Sequence, residues 1–304
     1  MNMQEMWKQW LTEALLKTTI RYPSQGRFSP QINRFYINHA TSIFPLHKQD
    51  ITVEKSQLAR LNIEKITPTI QTNEYVILYL HGGGFHIGSL KSHRAWLYRL
   101  AQVTQTQVIH LEYPLAPEVP FPTSSESIYN AYLALLESGV DAQNIILAGD
   151  DSGANLALAL TQRFIRKQSV PLPRALMLFS PFLDLTLTSR SIRSNQKHDA
   201  LTSLQFLQKS IHYYTANTNF EADDPRISPL YGDLTGLPPL LIQVGSKSLL
   251  LDDAKRLKEM AEAVDVTVDY QLYTGMWHNF FMFNEWFEEG KQALVNTRSF
   301  IEEL

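Results

Sequence analysis

The segment Ile145-Ile146-Leu147-Ala148-Gly149-Asp150-Asp151-Ser152-Gly153-Ala154-Asn155-Leu156 changes character twice within a dozen residues. It opens with a continuous apolar run, which suits a strand buried on both faces. It then crosses a short polar turn between two glycines and enters a helical pattern over 153–167. Small residues two before and two after Asp151 permit a sharp strand–turn–helix that projects the central side chain, the geometry of a nucleophile elbow. A frame centred on Ser152 would put Asp150 and Ala154 where backbone crowding wants glycine. Asp151 is therefore read as the central residue, and Ser152 as the residue that opens the helix and lends its N–H.

The same alternation spreads in both directions. Apolar runs at 76–80, 108–111, 176–179, 240–244 and 266–273 read as strands. Stretches at 92–104, 124–137, 249–263 and 284–303 read as helices. Strands alternating with helices predict an α/β architecture, a mostly parallel, doubly wound sheet with helices on both faces. Residues 50–69 alternate apolar and polar side chains and read as an antiparallel pair at a sheet edge. About sixty residues separate Ser180 from Leu240 and contain a helical pattern at 203–215. That is too long for a plain loop and predicts a small helical cap. The expectation is one domain over 1–304, with the cap drawn from about 1–45 and 186–222.

Composition sets the outer bounds. The chain has 304 residues, 44% hydrophobic and 19% charged, with a formal net charge of -3. This is a globule with a full core and no electrostatic bias toward nucleic acid or an anionic membrane. Cysteine is absent, which excludes disulfides, thiolate metal sites and a cysteine nucleophile and fits a reducing, cytoplasmic setting. Glu5, Lys8, Gln9, Thr12 and Glu13 interrupt the first apolar stretch, so no signal peptide is expected. No window reaches the roughly 18 apolar residues of a membrane span. Stable membrane insertion is not expected. Met3, Met6, Trp7, Trp10, Leu11, Ala14 and Leu15 recur at helical spacing and predict an amphipathic helix packed on the protein, with a lid-like or membrane-touching helix as the alternative. No metal or organic cofactor is implied. A homodimer is left open.

Three segments that follow strands carry chemistry. His81-Gly82-Gly83-Gly84-Phe85-His86-Ile87-Gly88 leaves backbone N–H groups uncovered and able to receive a developing oxyanion. The turn at Asp151 is the second. Met276-Trp277-His278-Asn279, after the last strand, is the third, and His278 can reach over the elbow from there.

With these segments in hand, the chain resembles the hormone-sensitive-lipase-like esterase family of the α/β-hydrolase superfamily. The resemblance rests on His81-Gly82-Gly83-Gly84, on Tyr113-Pro114-Leu115-Ala116-Pro117-Glu118 with Phe121-Pro122, and on Ser180-Pro181-Phe182-Leu183-Asp184-Leu185. Asp224-Pro225-Arg226-Ile227-Ser228-Pro229-Leu230 and Gly236-Leu237-Pro238-Pro239-Leu240 extend it. It implies an eight-stranded α/β-hydrolase sheet and a small-molecule, ester-like ligand. It also implies oxyanion donors at the N–H groups of Gly83, Gly84 and Ser152, and a triad histidine at His278.

Two positions depart from the family pattern. Its elbow reads Gly-Asp-Ser-Ala-Gly, so Asp151 stands where the family has serine. Gly245 and Asp252-Asp253 fix the register of the acid, which falls on Ser248. The substitutions leave enzymatic status open. Three readings follow: a lineage member with weak or no serine-esterase activity; a hydrolase using Asp151 as nucleophile on epoxides or haloalkanes; or an esterase acting on short-chain esters through Ser152. Asp184 is a weak candidate for the acid that the second reading needs, and its place in a family motif favours a structural role.

Overall fold

The structure is a computed structural model. It describes the backbone of residues 3–24 and 28–304, and the side chains of 7–23 and 28–304. In chain order the helices are α1 Met3–Leu16, α2 Tyr22–Ser24, α3 Pro30–Ala40, α4 Leu90–Thr104, α5 Thr123–Glu137, α6 Asp151–Lys167, α7 Arg190–Ser194, α8 Leu204–Tyr214, α9 Leu251–Glu262 and α10 Glu288–Glu302. The strands are β1 Ile51–Leu58, β2 Leu61–Pro68, β3 Val76–Leu80, β4 Gln107–Leu111, β5 Ile145–Asp150, β6 Ala175–Phe179, β7 Leu240–Gly245 and β8 Val268–Tyr273. They form one eight-stranded sheet in the order β1-β2-β4-β3-β5-β6-β7-β8. β2 runs antiparallel to β1 and β4, and all other pairs are parallel.

Every residue of β3, β5, β6 and β7 is buried, as strands covered on both faces require. The pleat sends alternate side chains to opposite layers. Leu78, Leu80, Leu147, Leu176 and Ile242 join the core beneath α5, α6 and α9. Ile77, Tyr79, Ala148, Met177 and Leu241 face α4 and α10. In α6 every residue from Asp151 to Gln162 is buried. Its alanines at 154, 157 and 159 allow the close approach this needs.

Helix starts follow local chemistry. Ser89 and Ser92 close a capping box on α4, and the Ser203 hydroxyl accepts the Phe206 N–H at 3.2 Å on α8. Sequence periodicity missed α3, which Ser29 caps and Pro30 begins. It also started the last helix four residues early, because residues 284–286 form a turn before α10 begins at Glu288.

The register aligns the carboxyl ends of the strands. Leu80 pairs with Leu111 and Gly149, Asp150 with Phe179, and Gly245 with Tyr273. The chain therefore leaves the sheet along one edge at residues 81, 151, 180, 246 and 274, where ligands bind in open α/β sheets.

The Ser180–Leu185 motif is held by a buried carboxylate. Asp253 Oδ2 accepts the N–H groups of Leu183 at 2.8 Å and Asp184 at 3.0 Å, and Oδ1 accepts the Ser189 hydroxyl at 3.2 Å. Burial pushes Asp253 up to about 7; the neighbouring Asp184 carboxylate adds to this, and the backbone N–H groups only partly oppose it. The folded chain thus holds this proton more tightly than the unfolded chain. The stability Asp253 contributes is full below about pH 4 and declines as pH rises toward about 7. Asp253→Asn keeps the acceptor for both N–H groups and removes the titration. Relative to the native chain it is expected to gain roughly 2 kcal/mol between pH 5 and pH 8, read by urea unfolding at both values. A difference that does not change with pH would count against this.

Candidate active site

Asp151 has φ +49°, in the left-handed region. Aspartate tolerates that conformation better than most residues. Phe85, Ser180 and Asn279 also carry positive φ, at +63°, +44° and +52°. Each lies just beyond a strand end. Bonds between these segments hold them together: the Phe182 N–H donates to the Asp151 carbonyl at 3.2 Å, and the Asn279 N–H to the Ser180 hydroxyl at 3.1 Å.

The Asp151 carboxylate is buried, at 2% exposure. Its Oδ2 accepts the N–H of Gly83 at 2.9 Å and of Gly84 at 2.7 Å. Two of the three oxyanion donors read from the sequence therefore meet at one point, and the protein's own carboxylate fills it. Gly84 has φ +58°, and a Cβ there would lie 2.2 Å from the Ser210 hydroxyl, so glycine is needed at this position. Ser152 gives no hydrogen bond to that oxygen among the described residues. Asp151 Oδ1 is buried without a hydrogen-bond partner. It lies 3.7 Å from His278 Nε2, within ion-pair range but beyond hydrogen-bond length.

Ser152 turns away from this cluster. Its hydroxyl accepts the Phe85 N–H at 3.0 Å. It ties the glycine loop to the helix start and does not line the cavity. Ser248 is fully buried, and its hydroxyl accepts the Leu250 N–H at 3.1 Å at the entrance to α9. His278 Nδ1 is buried with no hydrogen-bond partner. Asp184 lies elsewhere, paired with Arg256 at 2.5 Å and accepting the Tyr231 hydroxyl at 3.1 Å. That is a structural ion pair outside the cavity.

Beneath the elbow lies a polar layer the sequence did not reveal. Asp150 accepts Tyr79 and the Gly82 N–H, both at 2.9 Å, and Asn279 at 2.9 Å, and pairs with His93 Nε2 at 3.2 Å. Burial alone would raise the Asp150 pKa, but the His93 charge and the bonds from His93 and Tyr79 hold it below the usual carboxylate range. Burial, with His93 nearby, lowers His81 to about 3. His81 is therefore a neutral packing group stacked on Tyr113, with ring centroids 4.3 Å apart.

A cavity of about 120 Å³ opens above Asp151 and His278. Its far wall comes from Ile20, Ile37 and Phe44 of the N-terminal segment and from Leu201, Thr202 and Phe206 of the long insertion. Arg34 of α3 anchors that wall through the carbonyls of His86 at 2.8 Å and Ala116 at 2.6 Å. Another buried carboxylate, Asp199, sits in the insertion and accepts N–H groups from Leu201, Thr202 and Leu249 at 3.0, 3.2 and 2.9 Å. No sequence signal marked it. Among the described residues no cluster of histidine and carboxylate side chains has metal-binding geometry, and no helix is long and apolar enough to cross a membrane.

An elbow, a glycine loop and a histidine at the carboxyl edge of an eight-stranded sheet define the α/β-hydrolase class. The chain belongs to the family described by the alpha/beta hydrolase fold, matched over residues 77–282, and within it to the hormone-sensitive-lipase-like esterases. It is 48% identical over 304 residues to an esterase of Acinetobacter venetianus, covering 100% of this chain and 99% of that protein. It is 37% identical over 225 residues to an acetyl-hydrolase of Streptomyces hygroscopicus, covering 74% of each. Among solved structures it superposes on an esterase from the bacterial hormone-sensitive lipase family with TM-score 0.90 and 33% identity, covering 97% of both chains. A hormone-sensitive lipase from a metagenome library gives TM-score 0.89 at 29% identity, covering 96% of this chain and 97% of that one.

Proposed function

We propose that this carboxylesterase-lineage protein has weak or no conventional serine-esterase activity and holds a small, ester-like ligand in the cavity above Asp151. One observation carries the reading: Asp151 Oδ2 already occupies the point where the Gly83 and Gly84 N–H groups converge. A tetrahedral intermediate must place its oxyanion there. The carboxylate fills the site, repels a second negative charge and offers no hydroxyl. Its attack on an acyl carbonyl would give an anhydride, an energetically costly intermediate. The Ser152 hydroxyl accepts the Phe85 N–H and makes no hydrogen bond to His278. The native chain should therefore hydrolyse p-nitrophenyl acetate and butyrate no faster than its Asp151→Ala variant. Robust turnover lost in Ser152→Ala would overturn this and make Ser152 the nucleophile.

A second reading has its own observation in Asp151 Oδ1, which is unbonded and faces His278. In that reading Oδ1 attacks a saturated carbon, the bond to halide or epoxide oxygen breaks, and the electron pair leaves with that group. Oδ2 becomes the carbonyl oxygen of the enzyme ester, already in its hole. Water then adds to the Asp151 carboxyl carbon, giving its proton to His278; the bond from that carbon to the alkyl-bearing oxygen breaks, and the alcohol leaves with the proton returned by His278, restoring the carboxylate. Intact-mass spectrometry after incubation with 1-bromobutane or styrene oxide tests it. An adduct on Asp151, or release of bromide or diol that Asp151→Ala abolishes, would favour this route over the first.

A further inference from the structure

The geometry points to Asp199 as the positioning residue for His278, in place of the acid absent at position 248. This rests on the reading of His278 as the base of the site. The place to be filled is specific: His278 Nδ1 is buried and unpartnered, and the Ser248 hydroxyl is committed to the Leu250 N–H. A buried imidazole nitrogen needs a partner, and the partner at Nδ1 decides which tautomer presents a basic Nε2.

Asp199 approaches from the insertion instead of from the loop after β7. It is fully buried. Its Oδ2 accepts the N–H of Leu249, the residue after Ser248, at 2.9 Å, so the carboxylate lies against the backbone that would root an acid at 248. Its Oδ1 accepts the N–H groups of Leu201 at 3.0 Å and Thr202 at 3.2 Å, and these two residues line the same cavity as His278. A carboxylate offers about four acceptor positions. Three are filled by these backbone donors, which leaves one for His278. Burial raises the Asp199 pKa, and the charge that most opposes this is that of His278. The imidazole thus has Asp151 3.7 Å from its Nε2, while the Asp199 charge acts on it from beyond the 4.0 Å range of an ion pair, so the proposed Nδ1 bond requires that gap to close. Ser248 shows that the acid was lost from one segment, and Asp199 supplies the same charge from another.

The test uses an Asp151→Ser background, in which His278 has a hydroxyl to activate, with p-nitrophenyl acetate as substrate. Adding Asp199→Asn is expected to lower kcat by about 10²-fold or more, leave KM nearly unchanged, and move the acidic limb of the pH–rate profile to lower pH. Adding Ser248→Asp to that double variant should restore most of the lost kcat, which a merely structural role for Asp199 would not allow. Unchanged kcat and pH profile in a folded Asp199→Asn variant would overturn the assignment, as would no rescue by Ser248→Asp. A readout independent of turnover is the His278 Nδ1 ring proton by NMR. The assignment expects a hydrogen-bonded, slowly exchanging proton in the native chain, lost in Asp199→Asn. Its absence from the native chain overturns the assignment even where Asp199→Asn does not fold. Its presence alongside an inactive Asp151→Ser variant upholds Asp199 and counts against His278 as the base.

Discussion

Asp151→Ser is expected to raise hydrolysis of short-chain aryl esters by about 10³-fold over the native chain, because one change removes three obstacles. It supplies the hydroxyl whose proton passes to histidine. It vacates the point to which the Gly83 and Gly84 N–H groups donate at 2.9 and 2.7 Å. It also removes the negative charge 3.7 Å from His278 Nε2 that would compete for the imidazolium. From the sequence alone, the loss of the acid at Ser248 predicts that this single repair recovers little, since triad members act as a unit. The placement of Asp199 changes that expectation. Ser248→Asp added to Asp151→Ser should contribute a smaller further increment than the first change. Steady-state kinetics on p-nitrophenyl butyrate measures both steps. An Asp151→Ser variant no faster than the native chain would show that the site is disabled by more than its nucleophile.

Gly153→Ala is expected to abolish the folded protein. A Cβ at Gly153 would lie 2.0 Å from the Leu80 carbonyl oxygen and 2.7 Å from that of His81, both backbone atoms of the segment leading into the glycine loop. No flexible side chain can yield there. Relief requires α6 to lift off β3, and α6 is buried along most of its length. The cost should exceed about 3 kcal/mol, as for severe overpacking of a core. Gly236→Ala is the control: φ is +78° there, but nothing lies within 4 Å of an added Cβ. It should lose only the conformational penalty, about 1–2 kcal/mol. Soluble yield and thermal melts separate the two. A Gly153→Ala protein that melts like the control would mean the elbow is looser than its contacts indicate.

The sheet was legible because burial on both faces leaves continuous apolar runs, as in Val76-Ile77-Leu78-Tyr79-Leu80. The elbow, the glycine loop and His278 were legible because each follows such a run. Helix α3 was not. Its apolar positions face a cavity wall and solvent, not a continuous core, and Phe35 remains 66% exposed, so the helical period is weak. Asp199 escaped notice for a different reason. Its role depends on which backbone N–H groups surround it, and those belong partly to residue 249, fifty positions away. Asp150 looked like an incidental neighbour of Asp151, yet it gathers Tyr79, Gly82, His93 and Asn279. Buried polar networks are specified by three-dimensional proximity, which no one-dimensional period encodes.

The carboxylate seated in the oxyanion hole also bears on how such proteins are counted. Fluorophosphonates and sulfonyl fluorides, which label serine hydrolases, are electrophiles that need a nucleophilic hydroxyl and an open pocket for the phosphoryl or sulfonyl oxygen. Here neither is offered: the side chain at the elbow is an acid, and Gly83 and Gly84 are engaged by it. If the native chain is inactive as proposed, a proteome profiled with such reagents would omit it although its fold, and nearly half its residues, match a protein called an esterase. Inventories built on reactivity and inventories built on fold would then disagree about this protein.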